Sequence, residues 1–119
     1  MIGACVDLDI RQNGSICTLK LKGPLKAGVP VDDFDRAVQA AIDGGQIYLI
    51  LDLEAMPVID SCGIGAIVNT LQKAKKLGGD AKLVNPSPFA VKTFKMVCIL
   101  NLFHVYNSEA EAVAVCGRM

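Results

Sequence analysis

The chain has 119 residues, about half of them apolar, with equal numbers of acidic and basic side chains. This length and composition predict one ordered domain over residues 1–119 and argue against intrinsic disorder. The balanced charge offers no field that would recruit nucleic acid or an anionic membrane, and no stretch approaches the length of a membrane span.

A β-hairpin is predicted at the start of the chain, around Asn13-Gly14. Apolar and polar residues alternate on both sides of this dipeptide, which is typical of a two-residue type I′ turn. That turn would gather the apolar side chains on one face and set opposite charges against each other on the other face. The predicted opposite pairs are Leu8 with Leu19, Ile10 with Cys17, Val6 with Leu21, and Asp7 with Lys20.

A helix and a strand are predicted next, after the segment GPLKAGVP, which is interpreted only as a connection. The helix is expected to begin with Asp32 or Asp33 as its cap and to end at Gly44-Gly45. The five apolar residues 47–51 then predict a central strand that is buried on both faces.

The second half of the chain repeats this alternation. Helical spacing follows residue 60 and ends at Gly78-Gly79, and short strands are predicted in the segments AKLVN and LFHVY. Ser87 with Pro88 predicts the start of one helix, and Ser108 with Glu111 has the spacing of a capping box at the start of the last. The order ββαβαβαβα predicts an α/β fold, with a mixed sheet, an N-terminal hairpin and parallel crossovers.

Five cysteines are spread over the chain without C-x-x-C spacing: Cys5, Cys17, Cys62, Cys98 and Cys116. This odd, scattered set favours a reduced, cytoplasmic protein whose cysteines are small core residues. No metal site and no cofactor are expected, because His104 is the only histidine and the thiols are dispersed. The N-terminus lacks the pattern of a signal peptide.

The stretch PVIDSCGIGAI, residues 57–67, places an acid, a hydroxyl and a thiol between a buried strand and a helix. The plainest interpretation is that Asp60 or Ser61 caps the helix. A nucleophile elbow would need G-x-S-x-G and a nearby base, whereas this segment reads I-D-S-C-G. A phosphate-binding loop would need G-x-x-x-x-G-K-[ST], which is absent. The remaining hypothesis is a reversible phosphorylation site on a docking surface, where Gly63 and Gly65 let another surface approach the backbone.

This stretch and its context resemble the STAS domain family, the anti-sigma factor antagonists. The family shows a hydrophobic strand ending in Asp-Leu, a short loop, and D-S-x-G-x-G opening a helix. Here the matching residues are Asp52-Leu53, then Asp60, Ser61, Gly63 and Gly65. The resemblance implies a sheet with sequential strand neighbours, an antiparallel first strand and helices mainly on one side.

The resemblance also implies a function. Ser61 would be the phosphoacceptor, and the segment of Asp60, Ser61, Cys62, Gly63, Ile64 and Gly65 would bind the partner. That partner would be an anti-sigma factor of the histidine-kinase-like ATPase type that is also a serine kinase. It would bind the unphosphorylated antagonist, which frees a sigma factor, and a PP2C-type phosphatase would reset the cycle. The domain itself would not be an enzyme.

Cys62 departs from the family, which often has a second small hydroxyl residue there. A thiol near a helix N-terminus can have a lowered pKa, which would make it oxidisable, but a small buried residue is the plainer interpretation. Two other functions stay open: a non-switching subunit of a larger stress-sensing or lipid-transport assembly, and a small enzyme using Ser61 or Cys62.

Overall fold

The computed structural model describes residues 7–116, which form one five-stranded sheet, four α-helices and a short 3₁₀ turn. The strands are β1 (Asp7–Asn13), β2 (Ile16–Lys22), β3 (Tyr48–Asp52), β4 (Asp80–Val84) and β5 (His104–Tyr106). The helices are α1 (Val29–Asp43), α2 (Ser61–Lys76), α3 (Pro88–Met96) and α4 (Glu109–Cys116), and the 3₁₀ turn is Leu100–Leu102.

The sheet has the sequential order β1-β2-β3-β4-β5. The pair β1-β2 is antiparallel and the other three pairs are parallel, as the sequence predicts. Strand β3 is central, and its residues 49–52 are all buried, in agreement with the apolar run that predicted it.

The N-terminal hairpin forms, but the predicted turn is wrong. The two-residue loop is Gly14-Ser15, and Asn13 is still in β1. Gly14 has a φ of 61°, while neither Asn13 nor Ser15 has a positive φ. This is the pattern of a type II′ turn, which needs positive φ at its first residue alone. The glycine meets that need without strain, whereas a turn at Asn13-Gly14 would also have required it of the asparagine.

The hairpin register is therefore shifted by two residues from the prediction. Leu8 lies opposite Leu21, Ile10 opposite Leu19, and Asp9, instead of Asp7, opposite Lys20. Val6, predicted to face Leu21, lies outside the described residues. Because side chains alternate with a period of two, a shift by two keeps the same residues on the core face.

Helix α1 begins earlier than predicted. It starts at Val29 after Gly28, which has a φ of 100° and makes no side-chain cap, so neither Asp32 nor Asp33 is the cap. Pro30 lies in the first turn, where its missing N–H and fixed φ fit a helix start. At the other end, Gly44 is the C-cap, as predicted.

The last two helices start with the predicted serines. The Ser87 hydroxyl accepts a hydrogen bond from the Ala90 N–H, and the Ser108 hydroxyl accepts one from the Glu111 N–H. The capping box is incomplete, because the Glu111 carboxylate accepts from the N–H of Asn107 instead of Ser108.

The helices cover the two faces of the sheet unequally. Phe34 of α1, Ile67 of α2 and Phe94 of α3 are fully buried in the main core, on one face of the sheet. A smaller cluster on the other face includes Ile50 of β3 and Ala112 of α4. The prediction that the helices lie mainly on one side is thus confirmed.

Candidate functional site

The stretch singled out in the sequence lies where the chain leaves β3 and enters α2. Ser61 is the first residue of this sixteen-residue helix, and Asp60 is its N-cap. Both lie beyond the carboxyl end of a central parallel strand, where open α/β sheets commonly bind ligands and partners.

The Asp60 carboxylate is the anchor of the helix start. One oxygen accepts a hydrogen bond of 2.9 Å from the Gly63 N–H inside α2. The other accepts one of 2.9 Å from the Ala27 N–H, which belongs to the loop before α1. A single side chain therefore both caps α2 and ties it to a segment 33 residues away.

These contacts also set the charge state of Asp60. Hydrogen bonds from the backbone N–H groups of Ala27 and Gly63 hold its pKa below the ordinary value, with smaller help from the Cys62 N–H and the Lys26 ammonium. Hydrogen bonds to an ionised carboxylate favour the ionised form. The start of α2 therefore carries a fixed negative charge beside Ser61 at neutral pH.

The loop that was predicted to be only a connection supports the site. Its Leu25 forms an isolated parallel bridge with Ile59, and the Leu25 N–H donates to the Val58 carbonyl at 2.9 Å. The Asp60 N–H in turn donates to the Leu25 carbonyl at 3.3 Å. No periodicity in the sequence predicts this pairing, because it joins two irregular segments far apart in the chain.

Ser61 and Cys62 point away from the protein. Both residues are exposed, and within residues 7–116 the Ser61 hydroxyl makes no hydrogen bond, because Asp60 already caps the helix. The expectation that Cys62 is a small buried residue is wrong, and Cys98 is exposed as well. Cys17 fits the prediction: it is buried, and burial raises the pKa of its thiol.

The two glycines of the motif face opposite ways. A Cβ at Gly63 would lie 2.3 Å from the Leu25 carbonyl oxygen and 2.7 Å from Ile59 Cγ1, so only glycine fits there. A Cβ at Gly65 would meet nothing within 4 Å, and Gly65 is exposed. Ile64, between them, is half-buried against the main core. Gly63 thus allows the start of α2 to pack closely against Leu25, while Gly65 leaves the outer backbone of the helix uncovered.

Exposed apolar side chains occur in the loop before α2 and at the start of α3. Val58 in the preceding loop is 37% exposed and Phe89 at the start of α3 is 41% exposed. Met56, Pro57 and Phe89 help to line an open groove of about 330 Å³. The segment from Val58 to Ser61 therefore combines an exposed apolar side chain, an ionised carboxylate and an exposed hydroxyl.

Within the described residues, neither a hydrogen-bonded histidine nor a cluster of metal-ligating side chains accompanies Ser61. His104 lies exposed on the edge strand β5, and within the described part of the chain it makes no hydrogen bond to Ser61 or Cys62. Among residues 7–116 no three His, Cys, Asp or Glu side chains are grouped to hold a metal ion. None of the helices in this range is both long and apolar enough to cross a membrane.

Comparison with known families decides the family of the chain. A family model described as STAS domain matches residues 7–112. The chain belongs to the STAS domain family. The D-S-x-G-x-G motif at Asp60 lies within the matched residues, so the resemblance seen in the sequence is confirmed.

Proteins named as anti-sigma factor antagonists resemble this chain in sequence and in fold. A protein of Bordetella bronchiseptica named as an anti-sigma factor antagonist, BtrV, is 24% identical over 83 residues, which are 70% of this chain and 72% of that protein. The structure of a protein of Thermotoga maritima assigned as an anti-sigma factor antagonist superposes with a TM-score of 0.84 at 21% identity, covering 93% of this chain and 95% of that one.

Structures of the anti-sigma factor antagonist SpoIIAA, unphosphorylated and phosphorylated, both superpose on this chain. Its unphosphorylated form superposes with a TM-score of 0.82 at 21% identity, covering 95% of this chain and 98% of that one. The phosphorylated form of SpoIIAA from Bacillus superposes with a TM-score of 0.74, covering 91% and 97%. At these identities the likeness shows a shared fold.

Proposed function

We propose that this STAS domain, taken as one unit over residues 1–119, is a cytoplasmic anti-sigma factor antagonist that is switched by phosphorylation of Ser61. It is a binding protein and not an enzyme. Unphosphorylated, it binds an anti-sigma factor of the histidine-kinase-like ATPase and serine kinase type, and the bound sigma factor is released to act in transcription. A PP2C-type phosphatase restores the unphosphorylated state.

The observation that carries the proposal is the free hydroxyl of Ser61. A serine at a helix start is normally used as a cap, and a capping hydroxyl is hydrogen-bonded and hidden. Here one carboxylate oxygen of Asp60 takes that role and the other accepts from the Ala27 N–H, while the Ser61 hydroxyl is exposed. A kinase can reach such a hydroxyl without unwinding the helix.

The names of the relatives support the class of partner. The Bordetella and Thermotoga proteins and SpoIIAA are all named as anti-sigma factor antagonists, and SpoIIAA is known in a phosphorylated form. In this chain the docking segment is Asp60–Gly65. Within it Ser61, Cys62 and Gly65 are exposed, while Gly63 contributes by seating the helix against Leu25.

The switch acts through local charge. A phosphoryl group brings about −1.5 to −2 charges at neutral pH. In the free protein this charge sits at the positive end of α2 in water, where it is tolerated and the fold does not need to change. In the docked complex it would be desolvated beside the ionised Asp60. A buried, unpaired charge at an interface costs about 2–5 kcal/mol, or roughly thirty-fold to several thousand-fold in affinity.

The test combines intact mass with binding. Incubation with the kinase-type anti-sigma factor and ATP should add one phosphoryl group to the wild type and to Ser15→Ala, but none to Ser61→Ala. Ser15 is a suitable control because it is an exposed serine in the hairpin turn. Ser61→Asp should bind the anti-sigma factor roughly thirty-fold to several thousand-fold more weakly than wild type, with an unchanged melting temperature.

Two results would overturn the proposal together. They are no mass gain at Ser61 and wild-type affinity of Ser61→Asp for the anti-sigma factor. Stable binding that does not depend on phosphorylation of Ser61 would then favour the alternative function, a non-switching subunit of a larger assembly.

A further inference from the structure

The outer edge of β1 is an unprotected sheet edge in the described part of the chain. Within residues 7–116, β1 pairs only with β2, and its seven residues, DLDIRQN, contain no proline or lysine. Proline and charged side chains, lysine above all, commonly keep exposed edges from pairing. The charges that β1 does carry include both signs, Asp9 and Arg11, so a partner strand can pair with them. The opposite edge, β5, is protected by its shortness, with three residues. This difference singles out β1 as the edge that can accept another strand.

The backbone groups that β1 offers can be identified. The Tyr48 N–H of β3 donates to the Ser15 carbonyl, so the odd-numbered residues that follow along β2 direct their backbone groups to β3. The even-numbered residues of β2 therefore bond to β1, and Lys20 lies opposite Asp9. The odd-numbered residues of β1 therefore direct their backbone N–H and C=O groups to β2. The N–H and C=O groups of Leu8, Ile10 and Gln12 point outward.

We infer that a second copy of this chain pairs with that edge, antiparallel, with the two-fold axis at Ile10. Ile10 then lies opposite Ile10 of the partner subunit, and Leu8 opposite Gln12 of the partner subunit. All three residues have outward-pointing backbone groups, so the ladder of hydrogen bonds is continuous. The two sheets join into one of ten strands.

The charges of β1 select this register. In it Asp9 lies opposite Arg11 of the partner subunit, and by symmetry the same pair forms twice. The neighbouring registers that keep the backbone pattern are shifted by two residues. One sets Asp9 against Asp9 of the partner subunit, although it also sets Asp7 against Arg11 of the partner subunit, and the other sets Arg11 against Arg11 of the partner subunit. Each therefore contains a like-charge pair that the proposed register lacks, and like charges directly opposite are destabilising.

The side chains of β1 suit such a contact on both faces. Ile10 is 44% exposed and lies on the same face of β1 as Leu8, which packs against the main core, so that pairing covers it with its symmetry mate. On the other face Arg11 forms an ion pair with Glu109 of α4. Asp9 of the partner subunit would extend this pair into a three-membered network, acid–base–acid. This edge lies apart from the Ser61 site, and the inference does not depend on the proposed function.

The test uses charge reversal in sedimentation experiments over a wide concentration range. The wild type should pass from 12.6 kDa towards twice that mass as its concentration rises. Asp9→Arg alone, or Arg11→Asp alone, sets like charges opposite each other at both symmetric positions and should weaken association about tenfold or more. The double variant restores both pairs and should associate within about threefold of wild type.

A mixture of the two single variants provides the decisive control. At the two facing positions the Asp9→Arg variant carries only basic side chains and the Arg11→Asp variant carries only acidic ones. Opposite charges therefore meet at both positions when the variants pair, and the two should form a heterodimer at concentrations where each alone is mainly monomeric. Effects inside each monomer, such as the loss of the Arg11–Glu109 pair, are the same before and after mixing. If the variants do not combine, the inference fails.

A measurement on the wild type completes the test independently of any variant. In the dimer the amide protons of Leu8, Ile10 and Gln12 should exchange with solvent at least about tenfold more slowly at high than at low concentration. The amides of β5 should be unaffected. A wild-type protein that remains monomeric up to about 1 mM, or a dimer that protects β5 instead of β1, would overturn the inference.

Discussion

The starts of α2 and α3 have the same plan but use their serines differently. At α3, Ser87 is the cap: its hydroxyl accepts from the Ala90 N–H at 3.1 Å and donates to the Met56 carbonyl at 3.2 Å. At α2 the cap is Asp60, one residue earlier than the serine, and Ser61 falls on the first helical residue with its hydroxyl exposed. A serine at a helix start is thus available for chemistry when the residue before it does the capping.

The comparison extends to the third helical residue. In both helices the backbone N–H of that residue bonds to the cap side chain, from Gly63 at 2.9 Å and from Ala90 at 3.1 Å. Ala90 has room for its methyl group and is fully buried, whereas Gly63 lies against the Leu25 carbonyl. The start of α2 is therefore held by a closer approach between segments than the start of α3.

The largest effect on stability is expected from a side chain added at Gly63, because α2 packs closely against Leu25 there. Gly63→Ala places a methyl group 2.3 Å from the Leu25 carbonyl oxygen, so the helix start must shift. Overpacking of this kind costs about 1–3 kcal/mol, and urea unfolding will measure it. The matched control is Gly65→Ala, which has open space and should be neutral or stabilising by up to about 1 kcal/mol. Equal stability of the two variants would show that the backbone around Leu25 shifts to accommodate the methyl group without loss of stability.

A smaller effect tests the roles of the two serines directly. Ser87→Ala removes a cap and also leaves the Met56 carbonyl without its donor, so it should cost about 0.5–2 kcal/mol. Ser61→Ala removes a hydroxyl without a hydrogen bond among the described residues and should stay within about 0.5 kcal/mol of wild type. Thermal unfolding of both variants measures the difference. Similar losses for the two would mean that Ser61 has a structural role.

The sequence was sufficient for the order of elements, and local contacts explain why. Hydrophobic periodicity predicted the strands and helices from β1 to α4, and the Ser87 and Ser108 caps follow from side chains that reach only three residues along the chain. The errors arose where two local solutions compete. Asn13-Gly14 and Gly14-Ser15 both suit a hairpin turn, and the need for positive φ at glycine alone decided it.

The sequence motif of the site was predicted, but the long-range contacts that hold the motif in place were not. The D-S-x-G-x-G pattern located Asp60 and Ser61, yet it could not show which of the two caps the helix. It also could not show that Ala27 and Leu25 hold the cap and the helix in place, because these contacts join residues more than thirty positions apart. No periodicity in the loop before α1 signals that pairing.

The smallest effect concerns the charge of Asp60. Hydrogen bonds from Ala27 and Gly63 hold its pKa below the ordinary value of about 3.9 in the folded protein. The stability that the ionised side chain contributes is therefore present above about pH 4 and is lost as the pH falls through the lower folded pKa. In Asp60→Asn the amide can still cap Gly63, but its NH₂ group would face the Ala27 N–H, and it does not titrate. The difference in unfolding free energy between wild type and Asp60→Asn should thus be constant from about pH 7 to 5 and shrink below pH 4.

Urea unfolding at a series of pH values measures this difference, and taking the difference cancels the titration of the other carboxylates that both proteins share. A difference that stays constant down to about pH 2 would mean that the negative charge of Asp60 does not stabilise the start of α2.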